Sequence, residues 1–185
     1  MTLWVFTISM VAGLSIVTIA LLSMFTKAFQ FWPPPRENSW QYHSFWWLFR
    51  VMFVGVLFLS YLDFHGLGEA HPLVTPFGVI LCLLGFGAAF RATFSLGWKN
   101  AHGAKEGLKT VGWYKWSRNP IYVSTILGIL GFCFVVNSGF VYALGGLWSL
   151  LYLAAPFFEE PWLEKTYGHE YVLYKAKVSR FVGRA

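Results

Sequence analysis

Charged side chains are scarce here: 12% of the 185 residues are Asp, Glu, Lys or Arg, whereas a soluble domain carries roughly 25%. That scarcity excludes a water-exposed surface over most of the chain. Cysteine is scarce too. Cys82 and Cys133 each sit in an apolar run, which excludes a disulfide framework and leaves them as small core residues. The five histidines are scattered, with no His-x-x-x-His or Cys-x-x-Cys spacing, so no metal site is expected. What abounds is apolar: 57% of residues are hydrophobic and the mean hydropathy is +0.55. Lipid is therefore the expected solvent, and the length fits one domain.

A helix needs about 20 apolar residues to cross roughly 30 Å of hydrocarbon. Leu3 to Phe25 meets this without a charge and gives the first span. It has neither the basic leader nor the cleavage site of a signal peptide, so it is expected in the mature protein. The linker Lys27 to His43 holds Pro33-Pro34-Pro35, which cannot continue a helix. Ser44 to Phe64, interrupted by Arg50, is the second span, and Thr75 to Leu96, with Arg91 near its end, is the third. After a polar stretch from Gly97 to Asn119, Pro120 suits a helical first turn and opens a fourth span. Asn137-Ser138-Gly139 is a tight-turn signal, and Phe140 to Phe158 returns as the fifth. Gly128, Gly131, Gly139, Gly145 and Gly146 would allow close helix approach.

The expected fold is an all-α polytopic membrane protein of five transmembrane helices. It forms a single membrane domain over residues 1–185. Residues 1–96 supply a three-span N-terminal part, and residues 97–185 a polar loop, a closing helical hairpin and a helical tail. In that tail Glu159 to Tyr167 reads as a short helix stopped by Gly168. Glu170 to Arg180 then places Tyr171, Tyr174 and Val178 on one face, the pattern of an amphipathic helix lying on the membrane interface.

Basic residues orient the chain. Lys99, Lys105, Lys109, Lys115 and Arg118 precede the fourth span, Lys165, Lys175, Lys177, Arg180 and Arg184 follow the fifth, and Lys27 and Arg36 follow the first. Five spans put all three groups on one side, while Asp63, His65, Glu69 and His71 fall opposite with no Lys or Arg. The positive-inside rule then gives an outside N-terminus and a cytoplasmic C-terminus. The net charge of +6 flanks membrane spans, so anionic lipid headgroups rather than nucleic acid are the expected partner. Trp40, Trp46, Trp47, Trp113, Trp116 and Trp162 read as interfacial belts. The sequence does not fix an oligomeric state.

Charges at the membrane edge are costly and point to function. Glu159-Glu160 closes an apolar span, and adjacent carboxylates repel unless a cation lies beside them. Arg118, Lys109, Arg180 or a cationic ligand could supply it; pairing with Lys165 or Lys115 at a solvated helix end is the plainer alternative. Arg118-Asn119-Pro120 begins a helix, whose free N–H groups and dipole attract carboxylate or phosphate. One cluster of each sign suits a ligand with both an ammonium and a carboxylate, as in an amino-acid moiety, although a lipid headgroup has the same chemistry.

These residues also form a pattern. Gly112-Trp113-Tyr114, Ser117-Arg118-Asn119-Pro120-Ile121-Tyr122, Glu159-Glu160, Tyr167-Gly168-x-Glu170-Tyr171-x-x-Tyr174 and Arg180-Phe181 together resemble the C-terminal signature of the integral-membrane methyltransferases. That group includes the isoprenylcysteine carboxyl methyltransferases and the phospholipid N-methyltransferases, and the resemblance covers about residues 95 to 182. It implies S-adenosylmethionine as methyl donor, bound at the cytoplasmic face between the polar loop and the tail. Tyr114, Arg118, Asn119, Pro120 and Tyr122 would line the donor pocket, with Lys109, Gly112 and Trp98 in the matching loop. Glu159 or Glu160 would hold the methionyl ammonium. Asn119 stands where many members have His, and Ser124 where Gly is usual.

A sulfonium donor is already activated, so alignment and exclusion of water are the main requirements. A carboxylate or thiolate acceptor needs no base; an amine must lose a proton, with Glu160 or Tyr122 to assist. Arg50 and Arg91 read first as snorkelling to headgroups. Arg91 is the better candidate to neutralise an anionic group on a lipidic substrate. The acceptor stays open: a prenylcysteine carboxylate, a phospholipid amine or another apolar small molecule. Two other readings compete. Membrane sterol and steroid reductases use NADPH with a similar C-terminal arrangement, but Ile121 and Ser124-Thr125 depart from their pattern. A non-enzymatic scaffold or lipid-binding protein is the third.

Overall fold

The computed structural model describes residues 1–26, 29–36, 38–65, 72–97, 100 and 107–183. Lys27, Glu69, His71, Trp98, Lys99, Lys105, Glu106 and Arg184 lie outside the described residues. The described residues form six α-helices, α1 Thr2–Thr26, α2 Trp40–Leu62, α3 Val74–Leu96, α4 Pro120–Val136, α5 Gly139–Tyr167 and α6 His169–Lys175, and a 3-10 turn at Gly112–Lys115. No strand occurs among the described residues. Helices α1, α2, α3 and α5 are long and apolar enough to cross a membrane, and α4 is a shorter apolar helix. The chain is a multi-pass membrane protein.

Local chemistry sets the boundaries. Ser39 caps α2 by accepting the Tyr42 N–H at 3.3 Å, so the helix begins four residues before Ser44. Pro120 occupies the first turn of α4, and Asn137 closes it in the left-handed region at φ 53°, its N–H donating to the Cys133 carbonyl at 2.8 Å. Ser138 then caps α5, accepting from Val141 N at 3.3 Å.

The fifth span differs from expectation. Instead of ending at Phe158, α5 runs 29 residues through Glu159-Glu160 and across Pro156 and Pro161 to Tyr167. At 1.5 Å per residue it is about 43 Å long, so its end extends beyond a hydrocarbon layer. Leu163 and Tyr167 explain why it persists, because they pack on a cluster of Tyr114, Tyr171, Tyr174 and Val178. The tail helix is likewise shorter than expected, and its Tyr171 and Tyr174 are buried in this cluster.

Two antiparallel pairs build the bundle. In α1 and α2, Gly55 faces Ser9 and Gly13 faces Met52. In α3 and α4, the tightest pairing of the fold, a methyl at Gly85 would lie 2.2 Å from Gly128 N, and one at Gly131 would lie 2.3 Å from Cys82 N. Backbone therefore meets backbone, the contact small residues permit in lipid. Gly139 and Gly146 face open space, while Gly145 meets the Cys133 sulfur. Helix α5 packs on α4, α1 and α2, around a core that includes Met52, Leu59, Val136, Leu144 and Trp148. Asp63, His65 and Ser138 meet at the end of the bundle opposite the polar loop.

Candidate functional site

At the other end the helices splay around a cavity of about 490 Å³. Its outer wall is polar and belongs to the loop, the start of α4, the end of α5 and the tail. Its inner wall is apolar, with Ile16 and Ala20 from α1, Phe45 and Phe49 from α2, and Leu151 and Phe158 from α5. The linker after α1 turns in Trp32, whose ring stacks on Phe45 at 4.0 Å.

The two carboxylates separate. Glu159 lines the cavity, and its Oε1 accepts from Trp32 Nε1 at 2.6 Å and from the Tyr122 hydroxyl. Tyr122 also lies against Tyr152, ring centroids 4.9 Å apart. Glu160 turns the other way and is 8% exposed. Arg180 forks onto it, Nε to Oε1 at 2.8 Å and Nη2 to Oε2 at 2.7 Å. Arg118 adds one contact, Nη2 to Oε1 at 3.2 Å. The adjacency that the sequence presented as a repelling pair is thus resolved by pointing one carboxylate at two arginines and the other at neutral donors.

Arg118 is 7% exposed, lines the cavity, and has Nε and Nη1 buried without a hydrogen-bond partner among the described residues. A buried guanidinium with two unmet donors is costly unless an anion completes it. The tyrosines around it stay neutral: burial, more than the Glu160 charge, pushes the Tyr171 hydroxyl up to about 12, and burial pushes Tyr114 and Tyr174 up as well. Tyr174 donates to the Tyr114 carbonyl at 2.7 Å and ties tail to loop.

Of the residues singled out from the sequence, Lys109, Tyr114, Arg118, Asn119, Tyr122 and Glu159 line the cavity. Glu160, Gly112, Pro120 and Arg91 do not. Gly112 is exposed and holds φ 63° at the start of the 3-10 turn. Pro120 is buried in α4, and Arg91 is exposed on α3. Ser124 is buried in α4 away from the lining, so the departure from Gly there does not alter the cavity wall. Trp46 and Trp162, expected in interfacial belts, line the cavity instead, whereas Trp40, Trp47 and Trp116 are exposed. Sequence reasoning missed Trp32, Phe45, Phe49, Asn100 and Tyr152. For Trp32 the adjoining prolines were a signal of a fixed turn, but not of its direction.

Comparison with known proteins adds one finding. The family model described as phospholipid methyltransferase matches residues 73–170, just over half of the chain. No curated protein and no solved structure matches it.

Proposed function

The chain belongs to the phospholipid methyltransferase family, and from that premise we propose that this membrane methyltransferase takes its methyl group from S-adenosylmethionine and passes it to a lipophilic acceptor in the 490 Å³ cavity. The observation that carries the reading is the pairing, on one cavity wall, of the under-partnered Arg118 guanidinium with the Glu159 carboxylate. The residues present fit the donor. Arg118 would hold its carboxylate, Glu159 would hold its ammonium, and Tyr114, Asn119 and Lys109 would border the rest. Tyr122 and Tyr152 offer ring faces, which attract a cationic centre.

S-adenosylmethionine supplies an electrophilic methyl on a sulfonium, so the chain need only align, dehydrate and, for an amine acceptor, remove a proton. Phe45, Phe49, Leu151 and Phe158 exclude water and accept the apolar part of the acceptor. For an amine acceptor, Tyr122, whose hydroxyl donates to Glu159, would be the group to relay the amine proton. Glu160, held by two arginines outside the lining, is not placed to do so. Arg91 stands at the outer face of α3, where it would meet an anionic headgroup; unchanged turnover in Arg91→Gln on anionic vesicles removes that role. Lys109 lines the cavity and Lys115 and Lys175 lie in the loop and tail that border it, which under the positive-inside rule supports a cytoplasmic orientation of this end.

The acceptor is open between a phospholipid amine, a prenylcysteine carboxylate and another apolar molecule. Incubating the protein with deuterated-methyl donor, extracted membrane lipids and a farnesylcysteine analogue, followed by mass spectrometry, identifies it. A label in a lipid-soluble product is expected. Donor binding with no labelled lipophilic product from any pool overturns the proposed reaction.

A further inference from the structure

The last described residues form a strap across the start of α4. The Arg118 N–H donates to the Ser179 carbonyl at 3.0 Å, Asn119 Nδ2 donates to the Arg180 carbonyl at 2.9 Å, and Ser117 Oγ reaches the same oxygen at 3.4 Å. The side chain of Arg180 then lies over the Phe157 ring at 4.1 Å while forking onto Glu160. Backbone and side chain of one residue thus dock on the two segments that flank the cavity. Asn119 acts here as a strap anchor, which needs an amide donor and no titrating group.

The sharing of Glu160 is unequal. Arg180 takes both oxygens at 2.7 and 2.8 Å, whereas Arg118 keeps one contact at 3.2 Å through a single nitrogen. A guanidinium facing a carboxylate prefers the two-bond fork. Arg180 occupies the forked side of the carboxylate, and Arg118 is held there at one contact, with its buried Nε and Nη1 lacking a hydrogen-bond partner among the described residues.

We propose that Arg180 is a positioning residue: by saturating Glu160 it keeps Arg118 from closing onto that carboxylate, and so holds the Arg118 donors ready for the carboxylate of the methyl donor. The inference rests on the reading of the cavity as a donor site. It makes Glu160 the carboxylate that would otherwise draw Arg118 away, and not a contact of the ligand.

The test compares wild type, Arg180→Ala, Arg180→Lys and the double variant Glu160→Gln/Arg180→Ala in lipid nanodiscs. S-adenosylmethionine affinity is measured by calorimetry, and the KM for donor and for acceptor are measured separately. Arg180→Ala is expected to weaken donor affinity about tenfold, the scale of one charge-assisted hydrogen bond, with the acceptor KM unchanged. Adding Glu160→Gln removes the competing carboxylate and is expected to restore donor affinity to within about threefold of wild type. A merely structural strap predicts no such recovery. Should Arg180→Ala not fold, Arg180→Lys keeps the charge without the fork, and the same loss and recovery are expected with Arg180→Lys and Glu160→Gln/Arg180→Lys. Wild type that does not bind the donor overturns the reading of the cavity. Wild type that binds while the Arg180 variants bind equally well, or a double variant as weak as the single, overturns the positioning role alone.

Discussion

Substituting Glu159 and Glu160 by Gln, one at a time, should have opposite consequences, although the residues are adjacent. Glu159→Gln removes a charge and almost no volume. An amide oxygen can still accept from Trp32 and Tyr122, which now meet on Oε1, so the fold should be little affected. What is lost is the charged partner of the donor's ammonium. A charge-assisted hydrogen bond contributes about 1.5–3 kcal/mol, so donor Kd should rise roughly 10- to 150-fold at 1.4 kcal/mol per decade. Glu160→Gln instead leaves Arg118 and Arg180 facing a neutral amide at a site 8% exposed. Breaking a buried ion pair costs about 3–5 kcal/mol, which lowers the melting midpoint by roughly 6–20 °C at the sensitivity of a chain this size. Donor affinity of the protein that stays folded should hold, because Arg118 has lost its competitor. Calorimetric binding and thermal unfolding, both in nanodiscs, give the four numbers. Glu160→Gln losing the donor while Glu159→Gln binds like wild type would refute the assignment of the two carboxylates.

Other predictions concern the frame. Gly85→Leu should abolish recovery of folded protein, because its first carbon would meet the Gly128 backbone at 2.2 Å; Gly87→Ala, with open space around it, should raise stability by about 0.5–1 kcal/mol in the same melting assay. Ser138→Ala removes both the α5 cap and the hydroxyl donated to Asp63, and should cost about 1 kcal/mol or more in denaturant titrations. The Ser138 hydroxyl, and secondarily His65, hold the Asp63 carboxyl below its ordinary 3.8 against the opposing effect of burial. A carboxyl lowered in the folded state contributes fully above its unfolded value and less as pH falls through the lowered one. The melting midpoint of wild type should therefore drop below about pH 4, and Asp63→Asn should flatten that limb.

Much of the frame was readable because its signals are local. Uninterrupted apolar runs, Pro120 and the Asn137-Ser138 turn set α1, α3 and α4 to within a residue or two. The stop at Gly168 was readable, but the continuity of α5 was not: the charge pair separates the apolar run from what reads as a short helix, and burial of Leu163 and Tyr167 against the tail accompanies their joining. The same holds for α6, whose tyrosine face suits a membrane surface until the loop that covers it is seen. Among the site residues, the basic segment and the acid pair were readable as complementary charges. Their division of labour was not, since it depends on Arg180 arriving from the tail and Trp32 from a linker 127 residues away in sequence from Glu159. Long-range partners leave no periodicity to read, and neither does the apolar wall that α1 and α2 contribute.

The central claim, that the cavity binds S-adenosylmethionine, is tested most directly by titrating the purified protein in nanodiscs with labelled S-adenosylmethionine and, separately, with NADPH. The account predicts saturable binding of S-adenosylmethionine that is displaced by S-adenosylhomocysteine and weakened in Glu159→Gln, with no binding of NADPH. Saturable binding of NADPH with none of S-adenosylmethionine would contradict it.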